Sequence, residues 1–224
     1  IKTRQHLPGV GENLQDHLQI RTIYKVNNTV TLNQLANSTI GKARMALEYL
    51  LFKRGPMTMP PSQLGAFAKS DPSQASPNIE WHVQPLSLEK FGDPLHSFNA
   101  ITPSVCNLRP TSRGSVQLKT PNMNDAPSIR LNYLSTEEDK QVAVDGLKFT
   151  RKIMASKALK PFAPEALKPG PEIDSDAALR EAAGDLGTTI FHPVGTCKMG
   201  PDSDPMAVVD DQLRFKGIDK LRVV

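Results

Sequence analysis

The hydrophobic positions of this chain follow two spacings, and each spacing predicts a different kind of element. Runs rich in β-branched and aromatic residues, bounded by proline, glycine, serine or aspartate, predict extended strands. These runs are 18–26, 64–69, 78–86, 99–108, 114–119 and 128–133. Most of them follow one another without an intervening helix, and a parallel neighbour would need a crossover of a dozen residues or more. We therefore expect an antiparallel sheet of about six strands.

Three other stretches repeat their apolar residues close to every 3.6 positions, which predicts helices. The first covers 32–52, with a break expected near Ser38. The second follows 135–138, Ser-Thr-Glu-Glu, which has the spacing of a capping box. The third covers 174–186. With these helices packed on one face of the sheet, the predicted fold class is α+β.

The charges and cysteines exclude several classes of protein. The 27 basic and 23 acidic residues are interspersed and leave a net charge of only +4, so no basic stripe indicates a nucleic-acid partner. Cys106 and Cys197 lack metal-type or redox-type spacing, so we expect two separate thiols and no metal. No apolar run approaches the roughly 20 residues of a membrane helix, and no secretory signal opens the chain. The expected location is cytoplasmic, with membrane association of the parent protein left open.

The stretch 191–200 concentrates most of the chemical features of the chain. It reads Phe-His-Pro-Val-Gly-Thr-Cys-Lys-Met-Gly. Pro193 fixes its own φ and restricts His192, while Gly195 permits a backbone approach that a Cβ would block. Imidazole is the side chain best suited to exchange protons near neutral pH. The residues alone leave two interpretations open: a buried loop histidine satisfied by a backbone carbonyl, or a catalytic base.

Two separated segments carry a resemblance to a known family. The stretch 191–200, followed by Val-Val-Asp at 208–210 and Leu-Arg-Val-Val at 221–224, resembles the C-terminal signature of the glucose-methanol-choline (GMC) oxidoreductases. The segment 7–17, Leu-Pro-Gly-Val-Gly-Glu-Asn-Leu-Gln-Asp-His, is similar to the family sequence that leads from the FAD-binding domain into the substrate domain. Between them, 112–116 resembles a strand-opening turn of the family. The likeness spans nearly the whole chain and is strongest to choline-dehydrogenase-like members.

This resemblance implies an FAD-dependent alcohol oxidoreductase, a dehydrogenase in preference to an oxidase. Such an enzyme oxidises an alcohol to an aldehyde by hydride transfer to flavin, and His192 would be its catalytic base. The resemblance also implies residues on the cofactor side, which are Asn13, Asp16, His17, Pro193, Val194 and Gly195. For the first three, a polar turn capped by its own side chains is an equally good interpretation.

The candidates for contact with the substrate are Gln63 and Asn107. Choline-processing relatives carry a glutamate at the position that matches Gln63, where its charge pairs with the quaternary ammonium. A neutral amide offers no full charge, so the departure puts choline in doubt and favours an unidentified primary alcohol.

The resemblance also predicts how the chain is divided. Residues 1–17 would be a remnant of the connection from the FAD-binding domain, 18–187 the substrate-binding domain, and 188–224 the histidine loop with the start of a return into the FAD-binding domain. No Gly-x-Gly-x-x-Gly turn is present, and the family's second catalytic residue lies downstream of the sequence that matches 221–224. We therefore expect both ends to be cuts, with the chain alone neither holding FAD nor catalysing. The surface that faces the missing domain would be available for self-association. The alternative is a stand-alone, non-catalytic binding or interaction module with this fold.

Overall fold

The structure is a computed structural model and describes residues 3–60 and 62–224. Positions 1 and 2 of the predicted first segment lie outside the described residues. The helices are α1 (Leu32–Asn37), α2 (Thr39–Phe52), α3 (Glu137–Met154) and α4 (Asp176–Leu186). The strands are β1 (Leu18–Ile20), β2 (Ile23–Lys25), β3 (Leu64–Ala68), β4 (Ile79–Gln84), β5 (Ala100–Asn107), β6 (Ser115–Gln117), β7 (Ser128–Arg130), β8 (Glu165–Lys168) and β9 (Gly187–Thr189). The α+β class is confirmed.

The described strands form one large sheet and one small one. The large sheet has seven strands instead of six, in the order β3-β4-β5-β1-β9, with β2 paired to both β5 and β8. Every pairing with a recorded register is antiparallel. The predicted strands 114–119 and 128–133 pair with each other, as β6 and β7, and are not members of the large sheet.

The predicted first strand is divided into β1 and β2 because of a proline on its partner strand. β1 pairs with Val105 and Cys106 of β5, and β2 pairs with the other end of β5. Between them lies Pro103, which has no N–H to give to a ladder. Its carbonyl instead accepts a hydrogen bond from the Thr22 hydroxyl at 2.7 Å. One continuous strand in the sequence is therefore two short strands in the structure.

Helix α3 covers one face of the large sheet and completes its nonpolar core. Trp81 of β4 is 2 % exposed, and its indole Nε1 donates to Thr150 Oγ1 at 2.8 Å. The Trp81 ring also lies 5.1 Å from the ring of Phe149. At Gly146, an added Cβ would come within 3.1 Å of a methyl group of Val105. The absence of a side chain there lets the helix approach the sheet closely.

The helix boundaries lie close to those that the sequence predicts. The chain breaks at Ser38, as predicted, and the Ser38 hydroxyl caps α2 by accepting from Gly41 N at 3.2 Å. The cap of α3 is Thr136, whose hydroxyl accepts from Asp139 N at 3.2 Å, so the helix begins one residue later than the capping-box pattern predicts. The apolar positions of α2 do not form a buried face, because its side chains at Ile40, Leu47, Leu50, Leu51 and Phe52 are all exposed.

The chain divides into two compact units that do not follow its linear order. The sheet unit comprises 18–109 and 140–188. The loop unit comprises the described residues up to 17, together with 110–139 and 189–224. That the terminal segments belong with an FAD-binding domain stays a prediction. No helix among the described residues is both long and apolar enough to cross a membrane.

Candidate functional site

The two segments that carry the family resemblance lie side by side in the loop unit. Gln15 and Val194 form an antiparallel bridge, in which each backbone N–H donates to the other carbonyl at 2.9 Å. Gly11 N donates to Thr196 O, also at 2.9 Å. Segments about 180 positions apart therefore form one short ladder, and the loop that contains His192 is held by the chain that precedes β1.

Asp16 is the most heavily used acceptor of this arrangement. Its carboxylate is 5 % exposed and accepts from the Tyr133 hydroxyl, from Thr189 Oγ1 at 2.6 Å and from the backbone N of His192 at 3.0 Å. A buried carboxylate needs such donors, because the loss of water would otherwise cost several kcal/mol. Burial, and then the hydrogen bond to Asp16, raises the pKa of Tyr133. Asp16 therefore fixes the backbone at His192.

The His192 side chain is exposed at the surface of the loop unit. Its ring centroid lies 5.6 Å from that of His17, with the two rings inclined at 66°. The flanking side chains of Phe191 and Val194 are 73 % and 61 % exposed. The loop thus presents one imidazole between two apolar side chains. Within the described part of this chain, no carbonyl buries the His192 side chain, and its role as a catalytic base stays a prediction.

The backbone beside His192 is in an unusual conformation. Phe191 has a φ of +64°, a region that bulky side chains rarely adopt. Its N–H donates to Thr189 Oγ1 at 2.8 Å. Since Thr189 also donates to Asp16, the same threonine connects the strained residue to the buried carboxylate.

Gly195 is required by a close contact within the protein. Its φ is +96°, and a Cβ at this position would lie 2.5 Å from the backbone oxygen of Asn13. The Asn13 side chain donates to Gly195 O at 3.1 Å and accepts from Arg113 Nε, also at 3.1 Å. The close approach at Gly195 is made by the Asn13 backbone of the chain itself, and an approach by a ligand at this glycine stays a prediction.

The predicted cofactor-side residues thus form one cluster, whereas the two substrate-side candidates do not. Gln63 precedes β3, and its N–H donates to Val83 O at 3.0 Å. Asn107 pairs with Ile79 at the opposite end of β4, and its side chain accepts from Arg109 N at 2.9 Å. At about 3.3 Å per residue, these positions are separated by roughly the length of that strand, about 15 Å.

Three residues of this arrangement were missed by the sequence analysis: Arg113, Tyr133 and Thr189. Each acts through a hydrogen bond to a residue that is distant in the sequence. No periodicity or motif marks them, apart from the position of Arg113 within the strand-opening turn at 112–116.

Comparison with known proteins decides the family. A family model described as GMC oxidoreductase matches residues 110–224. The chain belongs to the GMC oxidoreductases. The match includes the His192 loop, and the further likeness extends over almost the entire chain. An oxygen-dependent choline dehydrogenase of Vibrio vulnificus is 36 % identical over 98 % of this chain, which corresponds to 39 % of the relative.

Solved GMC structures agree with the fold. A pyridoxine 4-oxidase from Mesorbium loti superposes with a TM-score of 0.78 at 28 % identity, covering 100 % of this chain and 40 % of that one. A formate oxidase from Aspergillus oryzae gives a TM-score of 0.84 at 22 % identity, covering 100 % of this chain and 43 % of that one. The chain therefore spans about two fifths of the length of these relatives.

Proposed function

We propose that this chain forms the substrate-binding part of an FAD-dependent alcohol dehydrogenase, with His192 as the base. In the full-length protein, this enzyme oxidises an alcohol to an aldehyde. The observation that carries the proposal is the Asp16 contact, because it holds the His192 backbone in place while the imidazole stays exposed. A side chain held in this way is positioned for a reaction at the surface of the loop.

The exposed residues of the loop fit a flavin. Phe191 and Val194 present apolar surface on either side of the imidazole, which suits the planar and largely apolar face of such a ring. When bound, FAD would accept the hydride from the alcohol carbon. The chain's own contribution would be His192, which takes the hydroxyl proton, and the ladder of 11–15 with 194–196, which keeps the loop in place.

The supporting groups give this proposal its physical basis. Asp16 accepts from the backbone N–H of His192. Its carboxylate therefore does not occupy the ring nitrogens of that histidine. Asn13 and His17 contact this loop, Asn13 through the carbonyl of Gly195 and His17 through the His192 ring. We infer that they act on the cofactor side by fixing the path of the backbone that the flavin meets.

We further propose that the substrate is a primary alcohol other than choline. The relatives at 35–36 % identity are named oxygen-dependent choline dehydrogenases, but Gln63 provides no full negative charge at the matched position. Steady-state kinetics of the full-length protein would test this point. A kcat/KM for choline far above those for neutral primary alcohols would contradict it.

The decisive test of the base is His192→Gln in the full-length protein. We expect kcat to fall about 10²- to 10⁴-fold, which is the usual contribution of a positioned acid or base, with the flavin content unchanged. The matched control is His6→Gln, the same change at another exposed histidine. A His192→Gln enzyme within a few-fold of the wild type would refute the assignment.

The isolated chain offers a second measurement. We expect it to purify without flavin absorbance and without activity, because the phosphate-binding turn is not part of its sequence. A flavin-loaded preparation of this chain would contradict that expectation.

A further inference from the structure

The sheet unit contains a second cluster of reactive side chains, on adjacent strands. Glu80 and His82 are two positions apart on β4 and so project from the same face of the sheet. Cys106 of β5 is the cross-strand partner of Glu80. Trp81 lies on the opposite face, where it contacts α3. The cluster of Glu80, His82 and Cys106 therefore lies on the face that α3 does not cover.

The three side chains bring three different donor atoms together. The carboxylate oxygen, the imidazole nitrogen and the sulfur all lie within 4.8 Å of one another. His82 Nε2 is 3.5 Å from Glu80 Oε2. Around a zinc ion, with bonds of about 2.0–2.3 Å, tetrahedral ligand atoms lie roughly 3.3–3.8 Å apart. Small side-chain rotations would therefore bring the donors to coordinating distances.

One polar atom of this face lacks the partner that burial normally requires, and a second is only loosely paired. Ser104 Oγ is buried and makes no hydrogen bond within the described part of the chain. The buried His82 Nε2 makes no hydrogen bond there either, and its ion-pair partner Glu80 Oε2 lies 3.5 Å away. Ser104 is 1 % exposed and is the cross-strand partner of His82. An orphaned buried polar atom costs about 1–3 kcal/mol, and an ion is one of the few reasons for which proteins retain one.

The ligand types restrict the ion. One sulfur, one imidazole and one carboxylate suit Zn²⁺ and similar transition metals, whereas Mg²⁺ and Ca²⁺ prefer oxygen ligands alone. Three protein ligands leave a fourth position open, which is typical of zinc sites that bind water or a substrate. We propose that Glu80, His82 and Cys106 form a site for one zinc-class divalent ion, with its open position near Ser104.

The competing explanation is an ordinary Glu80–His82 ion pair beside a core cysteine. The same chain contains a natural comparison, because His96 Nε2 lies 3.5 Å from Glu89 Oε2 as well. No cysteine completes a metal-binding group there among the described residues. A comparison of His82 variants with His96 variants therefore distinguishes metal binding from simple ion pairing.

The test is a Co²⁺ titration of the natural full-length protein after treatment with a chelator. We expect one Co²⁺ per chain, a sulfur-to-cobalt charge-transfer band in the near ultraviolet, and displacement by Zn²⁺. Cys106→Ser should abolish the band, and His82→Gln should weaken Co²⁺ binding at least 10-fold. Cys197→Ser and His96→Gln are the matched controls, and both should bind Co²⁺ like the wild type.

Three results would overturn the site: no charge-transfer band, a band that survives Cys106→Ser, or a band that is lost in Cys197→Ser instead. Circular dichroism of each metal-free variant checks its folding. If Cys106→Ser fails to fold, His82→Gln decides the question, since the His82 side chain is 24 % exposed and its replacement is less disruptive.

Discussion

The sheet unit and the loop unit are stabilised by different kinds of contact. In the sheet unit, large nonpolar side chains such as Trp81 and Leu147 are almost fully buried between the strands and α3. The loop unit buries smaller residues, such as Val208 and Val209, and relies on carboxylates that accept backbone N–H groups. Asp16 is one of these, and Asp139 is another. Apolar burial therefore dominates in the sheet unit, whereas buried carboxylates that bind backbone N–H groups add to it in the loop unit, where one of them holds the His192 backbone.

The largest effect should come from the core of the sheet unit. Trp81→Ala removes a buried ring together with its hydrogen bond to Thr150, and should lower the free energy of unfolding by about 3–5 kcal/mol. Urea unfolding followed by far-UV circular dichroism would measure it. Phe67→Ala, on the adjacent β3 and 61 % exposed, is the control and should change it by less than about 0.5 kcal/mol. An equal loss of unfolding free energy in the two variants would mean that the packing of α3 on the sheet does not depend on Trp81.

A smaller loss of stability, confined to the ladder beside His192, is expected for a substitution in the loop unit. Gly195→Ala places a Cβ 2.5 Å from Asn13 O at a φ of +96°, which should cost about 1–3 kcal/mol. Hydrogen exchange at the amides of Gly11 and Val194 should become faster, because both donate across this ladder. Gly184→Ala is the control, since a Cβ there meets no atom within 4 Å. Unchanged protection in Gly195→Ala would contradict the close contact.

The smallest of the expected changes in stability concerns Asp139 and should depend on pH. Asp139 accepts from Thr111 N at 2.9 Å and from Ser112 N at 2.8 Å. Burial acts to raise the pKa of this carboxyl, but the hydrogen bonds from Ser112 and Thr111 outweigh it, and the pKa is lowered. Its stabilising contribution is therefore complete above the ordinary carboxyl pKa and is lost as the pH falls through the lowered value.

Asp139→Asn should accordingly cost about 1–2 kcal/mol at pH 7. The difference from the wild type should begin to shrink below about pH 4, where the carboxyl of the unfolded chain becomes protonated. It should be lost once the pH falls through the lowered pKa of the native carboxyl. Unfolding curves at a series of pH values would measure it, with the exposed Asp93→Asn as the control. A difference that is constant from pH 7 to pH 3 would exclude a role for the charge.

The sequence predicts the two units unequally, for physical reasons. Alternating and 3.6-residue patterns depend on burial against a neighbour, so they locate β4, α3 and the break at Ser38. They do not locate β8, because it lies in a proline-rich stretch that favours a loop, and they do not predict the division at Pro103. The pattern in α2 is helical, yet its apolar side chains are exposed, since periodicity specifies a face and not what covers it.

The candidate site is predictable only where a motif is continuous. His192, Pro193 and Gly195 are adjacent and recognisable together, and the segment 7–17 is recognisable by itself. Neither segment reveals that Asp16 binds the His192 backbone, because this contact depends on the folded path of the chain. Tyr133 and Thr189 are hidden for the same reason.

The Asp16 contacts also determine when the His192 loop can exist. The donors to this carboxylate follow it by 117, 173 and 176 residues. At roughly 5–20 residues per second of synthesis, the last of them leaves the ribosome roughly 10–35 s after Asp16. Until then the carboxylate lacks the donor at His192, and Gln15 lacks its bridge partner Val194. The arrangement that holds His192 is therefore completed only after residue 192 has been synthesised, and a nascent chain that stops before it lacks the contact that fixes the His192 backbone.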